Sequence, residues 1–473
     1  MNHGISVREE ATSISTPLVA LTGIPFVIGA APVQSAKSPL PAREPVLCTS
    51  WADAVEKLGF SDDWEKYNIC EVMHSHFVLY ERQPAIFCNL LDPVGMSAAV
   101  DAADFPVKSN RALLPIEAVD VTLIVKKMGG SGTPLVKGTD YEAYYSGENL
   151  IIELLVSGAA YGLEGVNVEY RAVEPESVTS EVVAIGMQNV EKCLTGTGVV
   201  PDLILAPGFS CDPVVAAVMA TKANGVNGIF GAKALVDISS SADGGAVSYT
   251  DAISLKGKNN FADANLIVCW PKLWHGGRAY HTSTQLAGVI ATVDAGNGGI
   301  PYESPSNKGF KANGMVFASG QEANLTLEQA NILNANGILT ALNFVNGWVA
   351  WGNYTACFPG SNDVKDTFIS VSRMFDWVGS TVVRTFWKKL DMPMNSRLRD
   401  NIIDTCNIWL NGIVGAGYLL GARVVARDED NPLADLMAGK IRVRIFITPP
   451  LPAQEIEFVL EYDAGFVKLA FAA

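Results

Sequence analysis

The fold class predicted for this chain is α/β and α+β multidomain: a layered α/β core, an all-β insertion domain, and a C-terminal α+β domain carrying terminal β-strand arms. Three observations predict it. Strand-length apolar runs alternate with helix-length segments on both sides of a glycine-punctuated, strand-rich stretch at 100–182. Two long amphipathic patterns follow at 368–390 and 396–410, with apolar residues at helical spacing. Each end of the chain carries a short alternating segment with no sequence neighbour to pair with.

In order, residues 1–16 are mostly polar but alternate from Gly4 to Glu9, which makes Ile5 and Val7 the apolar side of an N-terminal strand arm. Residues 17–99 form the first part of the core: an apolar strand at 18–30, a Pro/Ser/Ala loop to Pro45, a helix opened by Thr49-Ser50-Trp51-Ala52-Asp53 and ending near Leu58-Gly59, a second helix, and a strand at 85–91. The run 17–33 holds three prolines and two glycines and follows no basic segment, so it reads as a buried strand and turn rather than a signal peptide or membrane span. In the insertion, 100–182, apolar runs at 119–125, 150–156 and 166–172 are separated by Gly129-Gly130-Ser131-Gly132 and Ser146-Gly147. The core resumes over 183–357, with helices at 188–194, 213–224, 248–256, 285–294 and 325–334 around strands at 203–206, 234–238 and 264–270, the pattern of a largely parallel sheet.

The C-terminal domain, 358–463, ends in two alternating runs, 441–447 and 455–462. Joined through the loop from Pro449 to Pro452, they read as an antiparallel pair in which Arg442 and Arg444 face the glutamates. Ile441, Val443 and Ile445, with Ile456, Phe458 and Leu460, are its apolar positions and the expected receiving sheet for a donated strand. Residues 464–473 form the C-terminal strand arm, with Val467, Leu469 and Phe471 to be donated. No fixed-period repeat and no low-complexity tract is present, which argues against solenoids and propellers.

Apolar residues make up 49% of the chain and charged ones 18%, a thinly charged surface that points to buried interfaces. A net charge of −15 argues against nucleic-acid wrapping, which needs a basic face, and against membrane-surface binding. Eight cysteines stand singly without a Cys-x-x-Cys and read as buried free thiols.

Catalytic and binding motifs are few. Pro207-Gly208-Phe209-Ser210-Cys211 lacks the second glycine of a nucleophile elbow, and Ser210 reads as part of a strand-end turn. Gly129-Gly130-Ser131-Gly132 has neither the lysine nor the helix of a phosphate loop. The close pairs His74/His76 and His275/His281 lack companion ligands at a metal-binding spacing, so neither a metal nor a cofactor is expected. Carboxylate pairs such as Asp62-Asp63 read as solvated turns. Lys388, Lys389, Arg397 and Arg399, beside the Pro393 break, form the one basic cluster: a helix end favouring cations, or a docking patch for an acidic surface.

The order of segments resembles the tail sheath family of contractile phages, tail-like bacteriocins and related injection systems over most of the chain. The likeness rests on His3-Gly4-Ile5-Ser6-Val7-Arg8-Glu9, Pro17-Leu18-Val19-Ala20-Leu21-Thr22-Gly23, the run from Val200 to Gly208, the run from Gln285 to Asp294, Trp351-Gly352-Asn353-Tyr354-Thr355, and the block from Asn411 to Gly421. Asn353 and Tyr354 stand where many sheath proteins have an arginine after the Trp-Gly pair.

That resemblance implies a non-enzymatic subunit that stacks as hexameric rings around an inner tail tube and contracts. It implies terminal arms that add strands to neighbouring subunits' sheets, and partnership with baseplate and tail-terminator proteins. It also implies assembly in the bacterial cytoplasm into a phage tail or a released tail-like particle. The basic cluster is then the candidate tube contact, with the termini and the part after Phe358 innermost and the insertion outward. Two other readings stay open on the residues alone: another self-assembling shell or surface-layer protein, and an enzyme on an α/β scaffold.

Overall fold

The computed structural model describes residues 17–345 and 347–467. Its centre is an eight-stranded sheet whose strands run, across the sheet, Trp348–Trp351, Ile338–Asn343, Leu266–Cys269, Lys233–Asp237, Leu203–Leu205, Pro25–Gly29, Ala85–Asn89 and Pro45–Cys48. The six inner strands are parallel and the two edge strands antiparallel. Parallel strands covered on both faces need continuous apolar runs. Pro25–Gly29, Ala85–Asn89, Leu203–Leu205, Lys233–Asp237 and Leu266–Cys269 are accordingly buried at every position.

The flanking helices start where side chains cap their free N–H groups. Ser50 accepts from Asp53 N–H, Asp212 from Val214 N–H ahead of Pro213, and Ser248 from Asp251 N–H. Thr326 and Gln329 cap each other in a reciprocal box. The helix read at 188–194 is instead a 3-10 stretch, Met187–Lys192, running into the short helix Cys193–Thr197.

Strands Ser97–Pro106, Gly165–Val173 and Ile124–Lys127 form one sheet of the inserted region, and Arg111–Pro115, Asn149–Leu154 and Tyr141–Ser146 the other. They enclose their own apolar core around Leu114, Val125, Leu150, Ile152, Val166 and Val168. The run read as a strand from 119 begins as a 3-10 turn, Asp120–Thr122, because Thr122 Oγ1 donates back to the Val119 carbonyl at 2.7 Å. The Glu148 carboxylate fastens this region to the central layer by accepting from Ser61 Oγ at 2.7 Å and Asp62 N–H at 2.6 Å.

After Phe358 come two long helices, Ile369–Phe386 and Ser396–Gly415, and a two-stranded ribbon, Gly421–Val425 with Arg444–Thr448. Met374, Trp377, Cys406, Leu410 and Val424 form the core between them. The segment entering the first strand is laid along the first of these helices: Leu18 N–H donates to Thr385 Oγ1 and Ala20 N–H to Thr381 Oγ1, both at 3.0 Å, while Trp377 Nε1 donates to the Ala20 carbonyl at 3.1 Å.

The same helix is pinned to the central sheet by a buried ionic junction. Arg373, 4% exposed, donates in parallel to both Asp294 oxygens, at 2.9 and 2.5 Å, and to Asp202 Oδ2 at 2.8 Å. Asp202 also accepts from Gly23 N–H and Ile24 N–H at 3.0 and 2.7 Å, where the chain enters the sheet. One turn further, Asp376 lies 2.9 Å from the buried Lys233 ammonium, an ion pair whose angle misses a hydrogen bond. Burial pushes the Asp294 and Asp376 carboxyls up, with Arg373 and Lys233 respectively opposing. Burial also works against the Arg373 guanidinium, but Asp294 and Asp202 more than offset it and hold its pKa above the ordinary value.

Replacing Arg373 with methionine keeps the bulk and strands two carboxylates, so the substitution is expected to cost about 3–5 kcal/mol. Urea denaturation at subunit concentrations below assembly measures it, and a midpoint within error of the parent would sink the pinning role.

His76 gives a pH prediction. It sits 1% exposed in the π-helical turn His74–Leu79, and neither ring nitrogen makes a hydrogen bond of acceptable geometry. Burial pushes its pKa down to about 4, with the Pro84 carbonyl opposing and the Arg82 charge assisting. The unfolded chain therefore takes up a proton that the folded one refuses, and this contribution is full above pH 6.5 and lost as pH falls towards 4, by roughly 3 kcal/mol. His76→Leu is expected to remove that part of the acid slope. Identical slopes for the two proteins between pH 6.5 and 4 would show that His76 does not carry it.

Candidate assembly surface

The crevice at the carboxyl ends of the parallel strands, where an α/β enzyme would hold its ligand, is an open cavity of about 660 Å³ whose lining includes Asn68, Glu71, Ser210, Asp237, Lys272 and His281. Between the first strand and Leu203–Leu205, Asn68 accepts from Ala30 N–H and donates to the Pro207 carbonyl, both at 2.8 Å. Gly29 is required there, because a Cβ would lie 2.2 Å from the Asn68 amide. Ser210 is fully buried and its Oγ accepts from Asp237 N–H at 3.1 Å. Asp237 in turn accepts from Ser283 N–H at 3.0 Å, at the start of the helix Thr282–Gly296.

Glu71 holds His281 at 2.7 Å through Nδ1 and accepts its backbone N–H at 2.6 Å. Burial raises the Glu71 carboxyl, but the His281 contacts outweigh it and hold the pKa below the usual range. His74 Nδ1 meets Tyr280 Oη at 2.9 Å, and among the described residues no group of three His, Cys, Asp or Glu side chains could hold a metal. All eight cysteines are free thiols, seven of them buried and Cys211 half-buried.

The C-terminal ribbon is different, because it presents backbone that nothing among the described residues pairs. Val424 lies opposite Ile445. Its N–H and C=O are both taken by the Asn407 side chain, at 2.9 and 3.2 Å, so they point away from the partner strand. In an antiparallel pair the groups of the opposed residue then point away on the other side. The N–H and C=O groups of Ile445, and of Ile447 two residues on, therefore line the outer edge of Arg444–Thr448. Among the described residues no strand lies beside that edge. The Ile445 and Ile447 side chains turn into the core under the helices.

The opposite face of the ribbon is basic and aromatic. The guanidinium groups of Arg423 and Arg427 lie 4.7 and 5.3 Å from the Phe446 ring centre. Arg444 pairs with Asp430 and holds that carboxyl below the usual range. Arg427 pairs with Glu429 at 3.1 Å. Asn431 accepts from Arg442 N–H and donates to the Arg442 carbonyl, at 2.7 and 3.0 Å.

The antiparallel pair expected between 441–447 and 455–462 is not formed within the subunit. Arg444–Thr448 pairs with Gly421–Val425 instead, and residues 449–463 carry no helix or strand. Pro449, Pro450 and Pro452 explain it, since three missing N–H donors and fixed φ angles keep the chain extended instead of folding it back. Of the expected receiving positions, Ile445 is in the ribbon, Ile441 and Val443 precede it, and Ile456, Phe458 and Leu460 stand outside it. Phe458 is 84% and Leu460 94% exposed. Tyr354, stacked on Phe358 at 3.8 Å, donates to Gln454 Oε1 at 2.8 Å and holds the base of this segment on the body.

Of the expected arm residues, Val467 is exposed and lies in a helical turn at 465–467, not in a strand, closed by its N–H on the Ala464 carbonyl, whereas Ile5, Val7, Leu469 and Phe471 lie outside the described residues. Lys388 and Lys389 end the 3-10 turn Trp387–Lys389, and Arg397 and Arg399 open the second long helix, so the four share one hairpin tip. Trp387, Leu390, Met392 and Met394 are exposed on the same tip, an apolar component that reading for charge alone had missed.

The chain is 24% identical over 498 aligned residues to a tail sheath protein of Burkholderia phage BcepMu, covering 98% of this chain and 97% of the relative. It is 25% identical over 275 residues to the tail sheath protein of Escherichia phage P2, covering 55% and 63%. No family model matches the chain. In fold it resembles a chain of the anti-feeding prophage baseplate, with a TM-score of 0.57 at 16% identity, covering 98% of this chain and 99% of that one. It also resembles the contracted sheath complex of an extracellular contractile injection system, with a TM-score of 0.59 at 14% identity and the same coverage. A crystal structure of a sheath tail protein from Desulfitobacterium hafniense gives 0.56 at 12% identity, covering 89% and 93%. Over nearly its full length the chain is thus similar in sequence to a tail sheath protein and in fold to chains of contractile injection systems.

Proposed function

We propose that the chain is the mechanical subunit of a contractile tail sheath. It polymerises as stacked hexameric rings around an inner tail tube and contracts to drive that tube through a target cell envelope. The observation that carries this reading is the pairing of two unsatisfied features in one subunit: an open edge at Ile445 and Ile447, and an exposed segment at 455–462, apolar at alternate positions, that no strand among the described residues receives. Such an edge and such a strand complete each other between copies.

In this reading, 455–462 and the terminal arms with Ile5, Val7, Val467, Leu469 and Phe471 are donated to neighbours. Ile441, Val443 and Ile445 form the receiving side. Residues 1–16 and 464–473 are the arms, 358–463 the inner domain, and 100–182 the outward insertion in a core of 17–99 and 183–357. The hairpin tip with Lys388, Lys389, Arg397 and Arg399 meets the tube. Baseplate and tail-terminator proteins close the two ends. Assembly takes place in the bacterial cytoplasm, with neither nucleic acid nor membrane insertion involved. Contraction is a cooperative shift between two packings of a connected lattice, with the free energy stored at assembly.

Expressed alone and imaged by negative-stain electron microscopy, the chain is expected to form hollow helical tubes, and monodisperse monomers at high concentration would overturn the reading. Truncation after Leu451 is expected to leave a folded subunit with the parent's thermal midpoint that no longer polymerises; unchanged tubes would rule out donation by that segment. Glu455, Glu457 and Glu461 lie on one side of the segment and Arg423, Arg427 and Arg442 on or beside the ribbon face. Raising salt from 0.1 to 1 M shortens the screening length from about 10 to about 3 Å, so light scattering should show slower assembly.

A further inference from the structure

The open crevice at the carboxyl ends of the parallel strands lies apart from the ribbon and its edges, and its polar groups do not balance. Its carboxylates are answered from within the chain. His281 bonds Glu71 twice, Ser283 N–H donates to Asp237, Asp62 lies 2.7 Å from Arg278 Nη2, and Asp63 lies 3.4 Å from Lys66. Among the lining carboxylates Glu65 alone has no partner in the described residues, and it is exposed to water.

Donors are in surplus. The Lys272 ammonium has no hydrogen-bond or ion-pair partner among the described residues. Burial raises the Cys211 thiol and the Glu71 carboxyl, and the Lys272 charge opposes it at both, so the ammonium acts on the crevice floor. Arg278 pairs with Asp62 through one terminal nitrogen and leaves the other, Nη1, buried without an acceptor. Trp64 Nε1 and the hydroxyl of Ser240, a residue 4% exposed, are likewise buried without a partner. Buried donors left unanswered cost free energy that an acceptor entering the crevice would return. Trp64, Phe209, Trp274 and Phe317 add aromatic surface, with the Arg278 guanidinium 4.8 Å from the Trp64 ring centre. The volume of about 660 Å³ falls among small-molecule sites, which span roughly 300–1,000 Å³.

We propose that this crevice binds a small organic anion, a planar ring carrying a carboxylate or a phosphate, with Lys272 and Arg278 holding the charge and the aromatic side chains holding the ring. A bare anion would leave the aromatic wall wet, and an uncharged ring would leave the donors unanswered, so neither half suffices. The ligand is bound and not turned over. Ser210 is committed to Asp237, and burial pushes the Cys211 thiol up, so neither is an activated nucleophile. Binding here is a property of the single subunit, independent of strand addition, and its absence would leave the sheath function standing.

Isothermal titration calorimetry on the full chain, below its assembling concentration, tests the site. Naphthyl phosphate and naphthoate serve as the two head groups, and inorganic phosphate and naphthol as the two halves of the ligand. Saturable one-to-one binding of either naphthyl anion is expected, and which of them binds names the head group. Both halves are expected to bind at least about tenfold more weakly. Lys272→Met is expected to weaken binding on the order of tenfold, the factor that loss of one charge-assisted hydrogen bond gives. Lys258→Met, at an exposed position outside the crevice lining, is expected to leave it unchanged. Thermal midpoints recorded beforehand show which variants fold, and if K272M does not, Trp274→Ala, at a ring 37% exposed, decides by the same loss. The site is overturned by no saturable binding of either anion, by equal binding of either half, or by undiminished binding to the folded variant.

Discussion

The seating of the C-terminal helices on the core depends on one buried guanidinium. Arg373 joins Asp294 at the end of the helix Thr282–Gly296, Asp202 at the mouth of a central strand, and through Asp202 the backbone of Gly23 and Ile24. Three separate parts of the core thus converge on one residue of the first C-terminal helix. Buried ion pairs add little net stability over an apolar seam, because desolvation offsets most of the attraction. Their usefulness lies in geometry. A greasy interface between helix and sheet tolerates sliding by a fraction of a turn, whereas a bidentate carboxylate–guanidinium pair does not. In the function proposed above, load passed between the C-terminal domain and the core would need that lack of slip more than extra stability.

The same economy explains which edges are covered. The Trp348–Trp351 edge of the central sheet is closed by the loop at 307–310, through Asn307 N–H to the Ala350 carbonyl, Ala350 N–H to the Lys308 carbonyl and Phe310 N–H to the Trp348 carbonyl. Pro45 opens the strand at the opposite edge, removing a ladder donor there. These are the ordinary defences of a sheet that must not find partners. Among the described residues no such loop covers the ribbon, and neither Gly421–Val425 nor Arg444–Thr448 contains a proline. Its one covered position, Val424, is covered by the Asn407 side chain.

What could be read from the sequence follows from the range of the interactions involved. Helices with local caps at Ser50, Asp212 and Ser248, and strands that are continuous apolar runs, announce themselves within a few residues. The Arg373 junction could not be read, since its partners lie 79 and 171 residues away and nothing near Arg373 marks it as buried. Nor could the role of Asn407, an unexceptional polar residue on an amphipathic helix. The segment 455–462 was legible as extended but not as unpaired, because period-2 alternation specifies a conformation and two faces without naming a neighbour. The prolines at 449, 450 and 452 held that information, through the donors they lack.

Strand exchange suits a lattice that must change its spacing without coming apart. Side-chain interfaces are specific to one relative placement, so a large rearrangement breaks and remakes them. Backbone ladders are indifferent to sequence and survive as long as the donated strand stays in place, while the extended chain leading to it absorbs the displacement. In this subunit the stretch between Thr448 and Glu455 contains three prolines and no assigned helix or strand; Pro449 at its start is buried, and the Tyr354 hydroxyl holds Gln454 at its end. Rigid attachment at Arg373, an extended connector after Thr448, and a ladder at the far end make a linkage with one stiff joint and one pliant one. Reversing that order, with a pliant joint at the helix and a packed connector, would leave the body free to rotate against its own ribbon, and force applied to the lattice would be lost there.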